Sequence, residues 1–107
     1  MWGLSRDQRG IGREMRKRLP RKTRLGADYY VLVRIVNPAI VRDLLGEDAD
    51  GCWMESVVKV AEGGPAGTIY INSKLSLAQR WDAYWHELQH AMVDVMSWDA
   101  KRRRGEV

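Results

Sequence analysis

The sequence predicts an α+β fold, a small and mainly antiparallel sheet packed against one long helix, and three observations carry that reading. Tyr29 to Val36 is an unbroken run of β-branched, aromatic and apolar residues, the pattern of a strand. Gly63, Gly64, Pro65 and Gly67 form a dense turn signal between two further strand-like runs, Cys52 to Ala61 and Thr68 to Asn72. Ser76 with Gln79 makes a capping box in front of a helical apolar period that continues to about Ser97. At 107 residues the chain is sized for one domain, residues 1–107, with a single modest core.

The elements follow in order. Ser5 with Gln8 predicts a first helix from about Leu4 to Arg18, with Arg6, Arg9, Arg13 and Arg16 on one side. Gly10 and Gly12 weaken it and Pro20 ends it. A hydrophilic link leads to the strand at Tyr29. Pro38 suits the first turn of a short helix, Ala39 to Leu45, closed by Gly46. In Cys52 to Ala61, Trp53, Val57 and the stem of Lys59 alternate with Met54, Val58 and Val60, so both faces are partly apolar. That strand and Thr68 to Asn72 are expected to pair as an antiparallel hairpin. On the long helix, Leu77, Trp81, Tyr84, Leu88, Ala91, Met92 and Val95 fall within about 100° of arc at 100° per residue, an apolar face directed at the core.

The front of that helix carries the chemistry. His86 and His90 are the only histidines in the chain, and Glu87 follows the first of them directly. Residues at i and i+4 lie one above the other on a helix, so two imidazoles at that spacing can grip one metal ion. Composition alone would produce this His-Glu-x-x-His arrangement in roughly one chain in a thousand, so coincidence is a poor account of it. On the wheel, with His86 as zero, His90 falls at about 40° and Glu87 at about 100°, away from the apolar stripe. Imidazole nitrogens suit Zn²⁺, and a carboxylate beside a zinc-bound water is placed to act as general base.

Thr68-Ile-Tyr-Ile-Asn72, Leu75-Ser-Leu77 and Trp85-His-Glu-Leu-Gln-His-Ala91 together resemble the strand, capped helix and active-site sequence of small zincin-like metallopeptidases of the ImmA/IrrE type, found in phages and mobile elements. The run His86 to Asp94 is also similar to the active-site helix of thermolysin-like enzymes. The resemblance covers residues 68 to 94. It implies zinc on His86 and His90, Glu87 as general base, a protein or peptide substrate, and a sheet edge beside the helix that can hold an extended peptide. It also implies a cytoplasmic setting, that of the host for a phage-encoded protein. Metzincins would have glycine and histidine where Val93 and Met96 stand, which excludes them.

The families named take an acidic third ligand from farther downstream than the seventeen residues that follow His90. The candidates here are Asp99, favoured if the helix ends near Ser97 and the chain turns back, then Glu106 and Asp94, with Glu55 and Cys52 as outsiders. Asp94 lies about 12 Å along the axis from His86, too far to share its ion, and is better placed to orient His90, as Asp82 is to orient His86. Tyr70, expected on an edge strand, is the first choice to stabilise an oxyanion, ahead of Tyr84, an arginine or the metal alone. Trp53, Trp81 and Trp85 are expected in the core or at the rim of the cleft.

Charge is divided unevenly. Residues 1–24 hold nine Lys or Arg against two acids, residues 101–107 hold four against one, and the body between them is net −6. Basic ends of this kind favour a nucleic-acid or acidic partner. They motivate a second reading, a catalytically degenerate zincin that binds such a partner through its termini. Cys52 is the only cysteine, which excludes an intramolecular disulfide and fits a reducing compartment. No uninterrupted apolar run approaches a membrane-spanning length, and the N-terminus lacks a secretory h-region.

Overall fold

The computed structural model of the protein describes residues 17–56 and 64–105. Its elements are β1 (Lys22–Leu25), β2 (Tyr29–Val36), α1 (Pro38–Leu45), β3 (Gly51–Glu55), β4 (Gly67–Asn72) and α2 (Leu77–Arg103). The four strands form one sheet in the order β1-β2-β4-β3. The outer pairs are antiparallel and the central pair, β2 with β4, is parallel. The α+β class is therefore present, with a mixed sheet in which two of three pairings are antiparallel.

Local chemistry explains the element ends. Asn37 Oδ1 accepts from Ala39 N at 2.9 Å and Pro38 occupies the first turn of α1. Gly46 closes α1 in the left-handed region at φ 78°, its N–H bonded to Arg42 O at 2.7 Å. The capping box of α2 forms in both directions: Gln79 N donates to Ser76 Oγ and Ser76 N to Gln79 Oε1, at 3.2 and 2.9 Å. Beyond Ser97 nothing breaks the helix until Gly105, whose φ is 74°, so α2 runs to Arg103 rather than stopping at Ser97. The helix expected over residues 4–18 lies outside the described residues except at Lys17 and Arg18, which are not helical, and the second half of the strand expected to reach Ala61 lies outside them too.

β1 falls in what reads as a hydrophilic link. Its residues alternate between exposed and half-buried, and it is a strand because β2 supplies its hydrogen-bond partners. Thr23 and Leu25 turn toward the helix side: Thr23 Oγ1 meets Tyr84 Oη at 2.6 Å, and Leu25 packs on the core.

The core lies between one face of the sheet and the back of α2. Val31, Val33, Ile69 and Ile71 meet Trp81, Tyr84, Leu88, Ala91 and Val95 there. Complete burial of Ile69 and Ile71 contributes roughly 1.5–3 kcal/mol for each side chain. Met92, expected on the apolar face, sits at its margin and is 44% exposed, whereas Ala83 is buried. Cys52 and Val41 are buried outside this cluster. Cys52 pairs with Tyr70 across β3 and β4, so both belong to the sheet face away from α2. Among the described residues no helix is long and apolar enough to cross a membrane.

Candidate metal centre

The two histidines project from the front of α2. His86 Nε2 and His90 Nε2 stand 3.3 Å apart, and the rings meet edge to face with centroids 4.8 Å apart. Glu87 is turned toward the sheet: its side chain is only 13% exposed, against 67% for His86, and its Oε2 lies 3.8 Å from His86 Nε2. Gly51, the first residue of β3, is the strand residue beside Glu87. A Cβ on Gly51 would lie 2.8 Å from the Tyr70 carbonyl oxygen on β4, so glycine is what this strand–strand approach requires, whereas the same Cβ would meet Glu87 Cγ at 3.5 Å, an ordinary contact.

Two recesses flank the motif. One, of about 460 Å³, is bordered by Leu45, Trp53, His90, Val93 and Asp94, and the other, of about 390 Å³, by Ala49, Asp50 and Asp82. His86, Glu87 and Gly51 border both. Beside them β3 is an outer strand of the sheet, with β4 on one side and no described strand on the other. The elements thus place His86 and Glu87 between two recesses beside an outer strand of the sheet.

The remaining candidates are distributed differently. Asp99 stays on α2 because the helix continues past Ser97, which puts it about 14 Å along the axis beyond His90. It borders a separate hollow with Asp28 and Tyr29, so the expected return of the chain toward the histidines does not occur. Asp94 Oδ2 accepts a hydrogen bond from Trp53 Nε1 at 2.8 Å. That bond ties β3 to α2, a use for Asp94 other than the expected orientation of His90. Asp82 borders the second recess near His86, with no hydrogen bond to it. Glu55 is four residues along β3 from Gly51, about 13 Å at strand rise. Glu106 lies outside the described residues. Among the described residues no group of three His, Cys, Asp or Glu side chains converges on a single metal position.

The tyrosines also move away from the front. β4 is an inner strand, not an edge, and Tyr70 points to the face opposite α2. Tyr84 is buried at the back of the helix against Thr23, and burial raises its phenol above the usual range while the Thr23 hydrogen bond opposes that rise. Burial, reinforced by the Glu87 carboxylate, likewise raises the Cys52 thiol and keeps it protonated, a poor metal ligand. Trp81 is in the core with its indole N–H on Lys17 O at 2.8 Å, Trp53 bridges to Asp94, and Trp85 is half exposed against Tyr84. Asp50 and Gly51 were not singled out by the sequence pattern. The glycine between an acidic turn and a strand is the only signal that pointed there.

Comparison with known proteins finds no matching family model, no matching curated protein and no matching solved structure. Fold and site define an α+β domain with a helix-borne histidine pair flanked by a carboxylate. The zincin resemblance rests on the residues of that helix and the strand before it.

Proposed function

We propose that the protein is a zinc-dependent metallopeptidase acting on a protein or peptide substrate. One observation carries the reading. Two nitrogen ligands at about 2.0–2.1 Å from a tetrahedral zinc stand about 3.3 Å apart, which is the separation of His86 Nε2 and His90 Nε2. The separation of the donor pair is that of two ligands on one ion. Zinc bound there would bring a coordinated water to a pKa near 7 and polarise a carbonyl.

The chain's own groups supply the rest. Glu87, held against Gly51 beside His86, accepts a proton at a carboxylate oxygen and returns it to the leaving amine. The outer edge of β3, unpaired among the described strands, would offer backbone donors and acceptors to an extended segment lying along both recesses. No third protein donor converges with this pair among the described residues, so water, substrate or a further acidic group would complete the coordination.

Metal analysis after reconstitution is expected to find one zinc per chain, lost in His86→Ala and in His90→Ala. Glu87→Gln is expected to keep the zinc and to lower hydrolysis of an unfolded protein substrate by about 10²–10⁴-fold. Wild-type protein that takes up no zinc sinks the metal reading, and zinc-loaded protein without hydrolysis sinks the peptidase reading alone.

A further inference from the structure

A second concave site lies at the opposite end of the sheet from β3. β1 stops pairing at Leu32, and β2 runs on to Val36, leaving a groove of about 670 Å³ between the segment leading into β1, the open end of β2 and the first turns of α2. Arg18, Arg21, Arg34 and Arg80 line it, together with apolar Val36 and Leu77, and no acidic or aromatic residue does among the described residues. None of the four guanidinium groups is in an ion pair among the described residues. Four like charges around one concavity repel each other, and an anion placed among them removes that repulsion.

Three further features suit an anion. Arg80 is fixed by hydrogen bonds from Nη2 to Ser73 O at 2.8 Å and from Nε to Leu75 O at 3.1 Å, so its remaining N–H groups are held in place. Val33 N donates to Arg21 O on the β1 side, and by strand alternation the N–H of Ile35 points the same way, past the end of β1. The capped N-terminus of α2 contributes the positive end of its dipole to the same groove.

We propose that this groove binds the phosphate backbone of single-stranded nucleic acid. Four arginines along one groove match a chain of phosphates better than one isolated anion, and the seven other bases of residues 1–24 add long-range attraction for a polyanion. No aromatic residue lines the groove among the described residues, so backbone phosphates rather than stacked bases are the groups it contacts there. The site is separate from the histidine pair and independent of zinc.

The test is fluorescence anisotropy with a labelled short oligodeoxythymidylate across a salt series. Engagement of three to four phosphates predicts a slope of log K against log salt of about −2 to −3. Arg21 and Arg34 are exposed and without side-chain partners among the described residues, so Arg21→Ala/Arg34→Ala is expected to melt like wild type, to bind at least tenfold more weakly and to lose about 1.4 from that slope. His86→Ala is expected to bind like wild type. Unchanged affinity and slope in the double variant would overturn the proposal, as would equally tight binding of a polyglutamate of matched charge.

Discussion

The back and the front of α2 are built on the same 27 residues and obey different rules. At the back, Trp81, Tyr84, Leu88, Ala91 and Val95 are buried against the sheet, and hydrophobic area decides what is allowed there. At the front, His86, Gln89 and His90 are exposed, and the rings are positioned by helix geometry alone. Glu87 sits at the boundary, neither core nor surface, where β3 reaches the helix through Gly51. The difference teaches that the geometry of the front is set from behind. Packing fixes the rotation of the helix, and rotation fixes which way the imidazoles face.

Paired substitutions sharpen that contrast. Leu88→Ala removes a side chain only 6% exposed and is expected to cost about 2–5 kcal/mol in denaturant unfolding. Gln89→Ala, one residue on and exposed, is expected to stay within about 0.5 kcal/mol of wild type. Equal costs at the two positions would mean that α2 is not seated on the sheet by this face.

The boundary can be broken at one atom. Gly51→Ala places a methyl 2.8 Å from the Tyr70 carbonyl oxygen and 3.1 Å from the Ile71 side chain, so β3 has to move away from β4, and its end beside Glu87 moves with it. The expected cost is about 1–3 kcal/mol, with a fall in any hydrolytic activity larger than the fall in zinc affinity, since Glu87 and not the histidines touches this strand. Calorimetric zinc titration beside the denaturation curve checks both halves. A loss of zinc affinity with activity per bound zinc preserved would show that Gly51 supports the histidines instead.

How far the sequence was legible follows from the range of the forces involved. β2, α1, the β3–β4 pairing and the start of α2 depend on local signals: β-branched runs, Pro38 and Gly46, the glycine-rich turn, and Ser76 with Gln79. Whether the front of α2 faces solvent was also readable, because it needs only the period of the helix. β1 was not, because Lys22, Thr23 and Arg24 carry no strand pattern and the partner that makes them a strand is β2. Tyr70 on an edge and Asp99 beside His90 both required tertiary information: the strand order, and a helix that passes Ser97 because its next breaker is Gly105. That Arg34 and Arg80 border one groove is likewise long-range, since their separation in sequence hides it.

The smallest expected effect belongs to the two buried ionisable groups on either side of the sheet. Cys52 and Tyr84 both have their proton affinity raised by burial, so the folded state holds those protons more tightly than the unfolded chain does. The resulting stability is fully present below the ordinary thiol value of 9.0 and is lost as pH rises through that value and the ordinary phenol value of 10.0 toward the raised folded ones. Denaturant midpoints measured upward from neutral pH are expected to fall in that alkaline window. Cys52→Ala is expected to remove the earlier part of the fall, and Tyr84→Phe the later part, at the cost of about 1 kcal/mol for the Thr23 hydrogen bond at every pH. A double variant with an undiminished alkaline fall would move the titration to other groups, and with it the claim that these two side chains are shielded from water on opposite faces of one sheet.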